Sequence, residues 1–338
     1  MDFIMRFLSS YSESFAAALL LWPLASFALT LPILAYLYHR DGRIRFLSAA
    51  GTYVAVLYLL GLACFTLYPL PAGDSGPGIT YGLDPILNPL HFIDDFRKDG
   101  IVVIAQLFAN MALFVPLGFI AGRGLRLGVV PAVIIGFLAS LLIETAQLTG
   151  LFGLYPYAYR TFETTDLVTN TTGALLGWLL ARLVGRALPQ RAEGEPPVTN
   201  QPGFVRRCVA LAIDMTIVGA GAVLATSLVT LPFALANLSC AAVAGAPVMA
   251  LAACALFAVV EVIQPWRRGG QTLGGSFVRM TFETRERAGG RRVAFYVVRA
   301  FVILSTTGLF GLWPQVTLVP LVCLVFYLFK RCMPYDLI

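Results

Sequence analysis

The chain has 338 residues, of which 58% are hydrophobic and only 12% charged, with mean hydropathy +0.80 and formal net charge +6. That composition excludes a soluble globular protein and leaves one built for a bilayer. The apolar runs are continuous rather than alternating, which excludes a β-barrel and predicts an all-α, polytopic transmembrane helix bundle.

Nine apolar runs are read along the chain, at about 15–37, 46–69, 101–121, 128–150, 165–187, 206–232, 238–263, 293–313 and 315–330. Each approaches the roughly 20 residues that a helix needs to cross the hydrocarbon core. The basic residues alternate between the loops. Segments 38–45, 122–127, 182–207, 265–299 and 330–338 hold 20 of the 24, and the other side keeps Arg6, Arg97, Lys98 and Arg160. By the positive-inside rule the N-terminus is expected outside and the C-terminus in the cytoplasm. The positive charge then reflects topology and contact with membrane lipids, and no nucleic-acid partner is expected.

The first run is of spanning length and is followed by His39, Arg40 and Arg43, a flank expected of a retained span rather than a cleaved signal. Between the second and third runs, segment 70–100 carries Asp74, Asp84, Asp94, Asp95 and Asp99. Within it Pro85 to Phe96 is predicted to form a short interfacial helix. Residues 188–202 are polar and proline-rich and read as a cytoplasmic linker. They divide the chain into membrane domains at 1–187 and 203–338, with five and four spans. The six cysteines lack CxxC spacing, and His39 and His91 are the only histidines, so neither metal nor cofactor is expected.

Polar residues concentrate between Leu142 and Gly177. Glu144 and Gln147 are three apart and share a face of the fourth run. Asp166, Asn170, Gly173 and Gly177 form one stripe on the fifth, with Thr164 or Thr165 as the expected helix cap. Gly173 and Gly177 make a small-xxx-small pair suited to close helix approach. On the third run Asn110, Phe114 and Pro116 bring an amide and a kink to the same bundle. Arg160 lies in the loop between the fourth and fifth runs, where its planar fork suits a phosphate or carboxylate. Charges at membrane depth are costly, so the group formed by Asn110, Glu144, Gln147, Arg160, Asp166 and Asn170 is a candidate ligand site. The alternative is packing, with Arg160 paired to Glu163 or Asp166 and the asparagines bonding across helices.

The ordered residues Asn110 to Gly118, Glu144 to Gln147 and Arg160 to Gly173 resemble the VanZ-like family over about residues 53–183. That family is named for resistance to teicoplanin, a glycopeptide acting at the bacterial envelope, so the resemblance implies a multi-pass protein of the bacterial inner membrane. Members commonly carry an acidic residue just before the aspartate matched by Asp166, where Thr165 stands here.

In the second domain Arg207 and Asp214 are seven residues apart, two turns along one helix face, and Arg207 is the nearest expected partner of Asp214, with Arg299 as competitor. Together with Gly270-Gln-Thr-Leu-Gly274 and Asp336 these residues resemble the RDD family over about 203–338. The resemblance implies a polar cluster of Arg207, Asp214 and Asp336, serving either transport or helix register. A basic residue usually follows the GQTLG element, whereas Gly275 stands here.

The leading functional expectation is binding or movement of an envelope lipid, glycolipid or glycopeptide-like ligand at an outward-facing site. One alternative is a lipid-headgroup enzyme using Glu144 and Asp166, although no nucleophile–base pair is visible. The other is an ion-coupled transporter using Asp214, Glu261 and Asp336.

Overall fold

A computed structural model describes residues 2–67, 84–155, 157–158, 160–188, 196–236, 240–307 and 318–338. Among the described residues the regular elements are helices, as the continuous apolar runs require. In chain order they are α1 (Asp2–Ala28), α2 (Thr30–Asp41), α3 (Phe46–Leu67), α4 (Phe92–Asp99), α5 (Ile101–Phe119), α6 (Val129–Leu148), the short turn α7 (Gly150–Gly153), α8 (Thr164–Ala187), α9 (Phe204–Leu235), α10 (Cys240–Ala258), α11 (Gln264–Arg267), α12 (Leu273–Phe277), α13 (Gly289–Thr307) and α14 (Leu318–Lys330). α5 runs through Pro116 and widens into a π turn at Ile120–Gly124, and α10 does the same at Val259–Ile263.

Among the described residues six helices are long and apolar enough to cross a membrane, and seven if α1 and α2, which break at Leu29, form one span. The eighth and ninth expected spans meet at 308–317, outside the described residues. The expected interfacial helix before the third run is α4, displaced toward the C-terminal end of the segment considered.

The chain forms two compact units, one of residues 1–28 and 50–192 and the other of 29–49 and 193–338. Residues 29–49 therefore pack with the C-terminal part. Of the interval read as a linker, 189–195 lies outside the described residues. Residues 196–202 fold onto the second unit, where Thr199 pairs with Met280 as an isolated parallel bridge.

In the first unit α8 packs along α5 with almost nothing between the backbones. A methyl group at Gly173 would overlap the Met111 carbonyl, one at Gly177 the Val115 carbonyl, and one at Gly118 the Ala174 carbonyl. Gly136 of α6 meets the Ala174 methyl from the other side. The expected glycine stripe is thus the contact seam, where missing side chains let dispersion contacts form backbone to backbone. A small apolar cluster of Leu62, Phe114 and Leu117 packs beside it, and the Tyr58 hydroxyl donates to the Leu113 carbonyl at 2.8 Å.

The second unit has a larger core around Tyr38, Val209, Met280, Phe295 and Tyr335, and a second cluster of Val218, Phe257, Val260 and Ile303.

Candidate functional site

The seam between α5 and α8 fixes the position of everything polar at the end where α8 begins. Glu163 is the extended residue before that helix, and no side chain caps it. The Thr165 hydroxyl, expected as a cap, instead donates to the Pro89 carbonyl at 3.3 Å. Asp166 lies in the first turn of α8, where the helix dipole favours a negative charge. Asn110 of α5 donates its amide to Asp166 Oδ1 at 2.7 Å. A charge-assisted bond of that length is among the stronger ones available to a neutral donor. It also places Asn110, midway along α5, level with the first turn of α8.

One turn further along α8, Asn170 is buried and donates to Ser140 Oγ of α6 at 3.0 Å, while its Oδ1 has no partner among the described residues. Ser140 is itself fully buried. Glu144, one turn on from Ser140, is only 3% exposed and accepts the Glu163 backbone N–H on Oε2 at 3.0 Å. The carboxylate of α6 is therefore fastened to the loop that feeds α8. Gln147, also buried, turns away from this group and donates to the Thr66 carbonyl of α3 at 2.7 Å. Its role is to tie α6 to α3, as an interhelical bond of modest strength.

The segment before α5 closes over the same end. Ile86 pairs with Glu163 as an isolated parallel bridge, with Ile86 N–H donating to the Phe162 carbonyl at 2.8 Å and Thr164 N–H to the Ile86 carbonyl at 3.0 Å. α4 follows at once and carries His91 and Asp95, 3.5 Å apart, into electrostatic reach of Glu163. Glu163 is half-buried, and burial, then the Asp166 and Asp95 carboxylates, push its pKa above the ordinary glutamate range. Arg160 is exposed and acts electrostatically on Glu144, Glu163 and Asp166 alike. Among the described residues it makes no hydrogen bond or ion pair, so the packing alternative, in which it is consumed by Glu163 or Asp166, does not describe it.

The structure thus brings together Asn110, Glu144, Arg160, Asp166 and Asn170 from the expected set and separates Gln147 from them. It adds Ser140, Glu163, His91 and Asp95. Ser140 carried no signal, being one hydroxyl in an apolar helix. His91 and Asp95 did carry one, since a histidine four residues before an aspartate on a short helix shares its face. Among the described residues no group of three or more histidine, cysteine, aspartate or glutamate side chains has metal-holding geometry. The arrangement offers an arginine fork, three carboxylates and amide donors around one rim, a set that recognises polar headgroups through charge and hydrogen bonds.

In the second unit the partners differ from those expected. Arg207 pairs with Asp336 at 2.7 Å rather than with Asp214, and its Nε donates to the Pro202 carbonyl at 3.2 Å. Asp336 Oδ2 also accepts the Met333 N–H at 3.0 Å. Asp214 is fully buried in α9 and is held by the GQTLG segment, accepting the Thr272 hydroxyl at 2.5 Å and the Gly274 N–H at 2.6 Å. Gly274 has to be glycine there, because a side chain would overlap the Ala210 carbonyl. Arg299 pairs with Glu261 in the π turn at 2.6 Å and stacks over Phe282 at 4.0 Å. Arg207 with Asp336 and Arg299 with Glu261 are thus buried ion pairs, and Asp214 is buried and held by hydrogen bonds.

The VanZ/LLP1 family model matches residues 55–185, which covers α5, α6, all but the last two residues of α8, and every residue of the first polar group. No curated protein and no solved structure matches the chain. The family match and the apolar helices together make this a multi-pass integral membrane protein.

Proposed function

We propose that the first unit binds or moves an amphiphilic ligand of the bacterial envelope, either a lipid, a glycolipid or a glycopeptide-like molecule, at the rim formed by Arg160, Glu144, Glu163 and Asp166. The observation carrying this reading is Arg160, an exposed arginine that makes no hydrogen bond or ion pair among the described residues, beside Glu163 and two anchored carboxylates, Glu144 and Asp166. An exposed arginine fork beside several carboxylates is placed to meet the anionic part of a ligand. Arg160 grips the anionic part of that ligand, while Glu144, Glu163 and Asp166 receive amine or hydroxyl groups and Asn110 and Asn170 fix their orientation.

The alternation of basic loops supports an outward-facing rim in the inner membrane, with the C-terminus in the cytoplasm. The sealed charges of the second unit, and its RDD-like residues Arg207, Asp214 and Asp336, suit a partner or regulatory module. The VanZ-like residues support, as part of this proposal, a link to tolerance of teicoplanin.

The test uses Arg160→Ala and Glu144→Gln in a bacterium whose teicoplanin tolerance depends on this protein. Glutamine retains an acceptor for the Glu163 N–H while removing the charge, so both variants should insert at normal levels. Tolerance is expected to fall to that of cells lacking the protein. Unchanged tolerance in both variants sinks the reading.

A further inference from the structure

The second unit carries a cavity of about 870 Å³ between the turn that follows α2 and the strap that leads into α9. Tyr38, Asp41 and Arg43 line one wall, and Pro196, Gln201 and Arg206 the other. The volume lies within the range of small-molecule sites.

Both walls are held in place. Gly42 has φ +65°, donates its N–H to the Tyr38 carbonyl, and lies so close to Pro196 that a side chain there would strike it. The strap is fastened by Thr199, whose N–H donates to the Arg279 carbonyl and whose carbonyl accepts from Thr281, both at 3.0 Å. Arg206 is buried, stacks 4.5 Å from the Tyr38 ring centroid, and bonds the carbonyls of Gly42 and Arg279. These contacts preform the cavity, so a ligand would not have to order its walls.

The charge of the cavity is one-sided. Asp41 is the one acid among the lining residues, and Arg40 already holds both its oxygens at 2.7 Å. Arg206 contributes a fixed positive field. Arg43 is exposed and makes no hydrogen bond or ion pair among the described residues. Directly after it come Ile44, Phe46 and Leu47, exposed by 40%, 83% and 83%. A basic pocket beside an apolar surface matches an anionic headgroup carrying acyl chains.

We propose that this cavity binds a phosphate-bearing anion, with Arg43 gripping the phosphate and Arg206 supplying field, and that the headgroup of an anionic phospholipid supplies it. Nothing in this inference depends on the rim of the first unit.

The full-length protein in detergent is presented with phosphatidylglycerol or phosphatidylcholine, and retained lipid is counted by native mass spectrometry. Wild type is expected to retain phosphatidylglycerol preferentially. Arg43→Glu, a change at an exposed and uncommitted side chain, should weaken retention about tenfold or more, the scale of one charge-assisted contact. Gln201→Glu, from the opposite wall, should weaken it in the same direction. Displacement by inorganic phosphate alone would support the site and extend it to soluble phosphates, and resistance to that displacement would support the lipid as its source. Equal retention of phosphatidylglycerol by wild type, Arg43→Glu and Gln201→Glu overturns the proposal.

Discussion

A carboxyl group shielded from water and facing other carboxylates holds its proton more tightly than one in solution, and Glu163 is in that position. Because its pKa in the folded protein lies above the ordinary range, the unfolded chain releases the proton first as pH rises. Its contribution to stability is thus fully present below the ordinary glutamate pKa and is lost as pH rises through the higher folded value. The thermal midpoint of the detergent-solubilised protein should therefore decline across that window, and Glu163→Gln should flatten the decline. A profile unchanged by the substitution would contradict this account of Glu163. Spacing along the helices made Glu144, Asp166 and Asn170 legible, because three- and four-residue intervals determine which side chains share a face. Spacing within one helix says nothing of the other partner. Arg207 and Asp214 share a face and do not pair, since Asp336, 129 residues on from Arg207, offers both oxygens and a buried seat. Gln147 left the expected site for the same reason: its acceptor, the Thr66 carbonyl, ends a different span.

At the level of the helix, the seam between α5 and α8 is the feature on which the rim depends. It brings Asn110 within bonding distance of Asp166, and it exists only because Gly118, Gly173 and Gly177 leave room. Gly173→Ala and Gly177→Ala must push a carbonyl-bearing backbone aside, an overpacking cost of about 1–3 kcal/mol each. Gly51 of α3, with nothing within 4 Å of a built side chain, is the control. Thermal unfolding should place both seam variants well below wild type and Gly51→Ala beside it. Equal midpoints for all three would mean that the seam does not bear the packing assigned to it. The glycine stripe was visible in the sequence as a periodic run of small residues. The turn at Ile86, which covers the rim by backbone bonding to residues 162–164, was not, because strand-like pairing of two residues leaves no periodicity to detect.

Over the whole chain, hydropathy and loop charge identified a polytopic helical membrane protein without needing any partner residue. The grouping into units was less accessible. Residues 29–49 belong with 193–338 because Tyr38 packs under Arg206 and Phe282 lies in the same core, contacts separated by well over a hundred residues. The two units treat charge in opposite ways. In the second, Arg207, Asp214, Glu261, Arg299 and Asp336 are buried and bonded to one another or to backbone. In the first, Glu144 and Asp166 are anchored beside Arg160, which makes no hydrogen bond or ion pair among the described residues, and this is the ground for proposing a ligand there.

The most direct measurement is mass spectrometry of the lipids and glycolipids that copurify with the full-length protein, compared between wild type and Arg160→Ala at equal protein yield. The account predicts an anionic envelope amphiphile enriched on wild type and lost from the variant. Identical copurified profiles would contradict it.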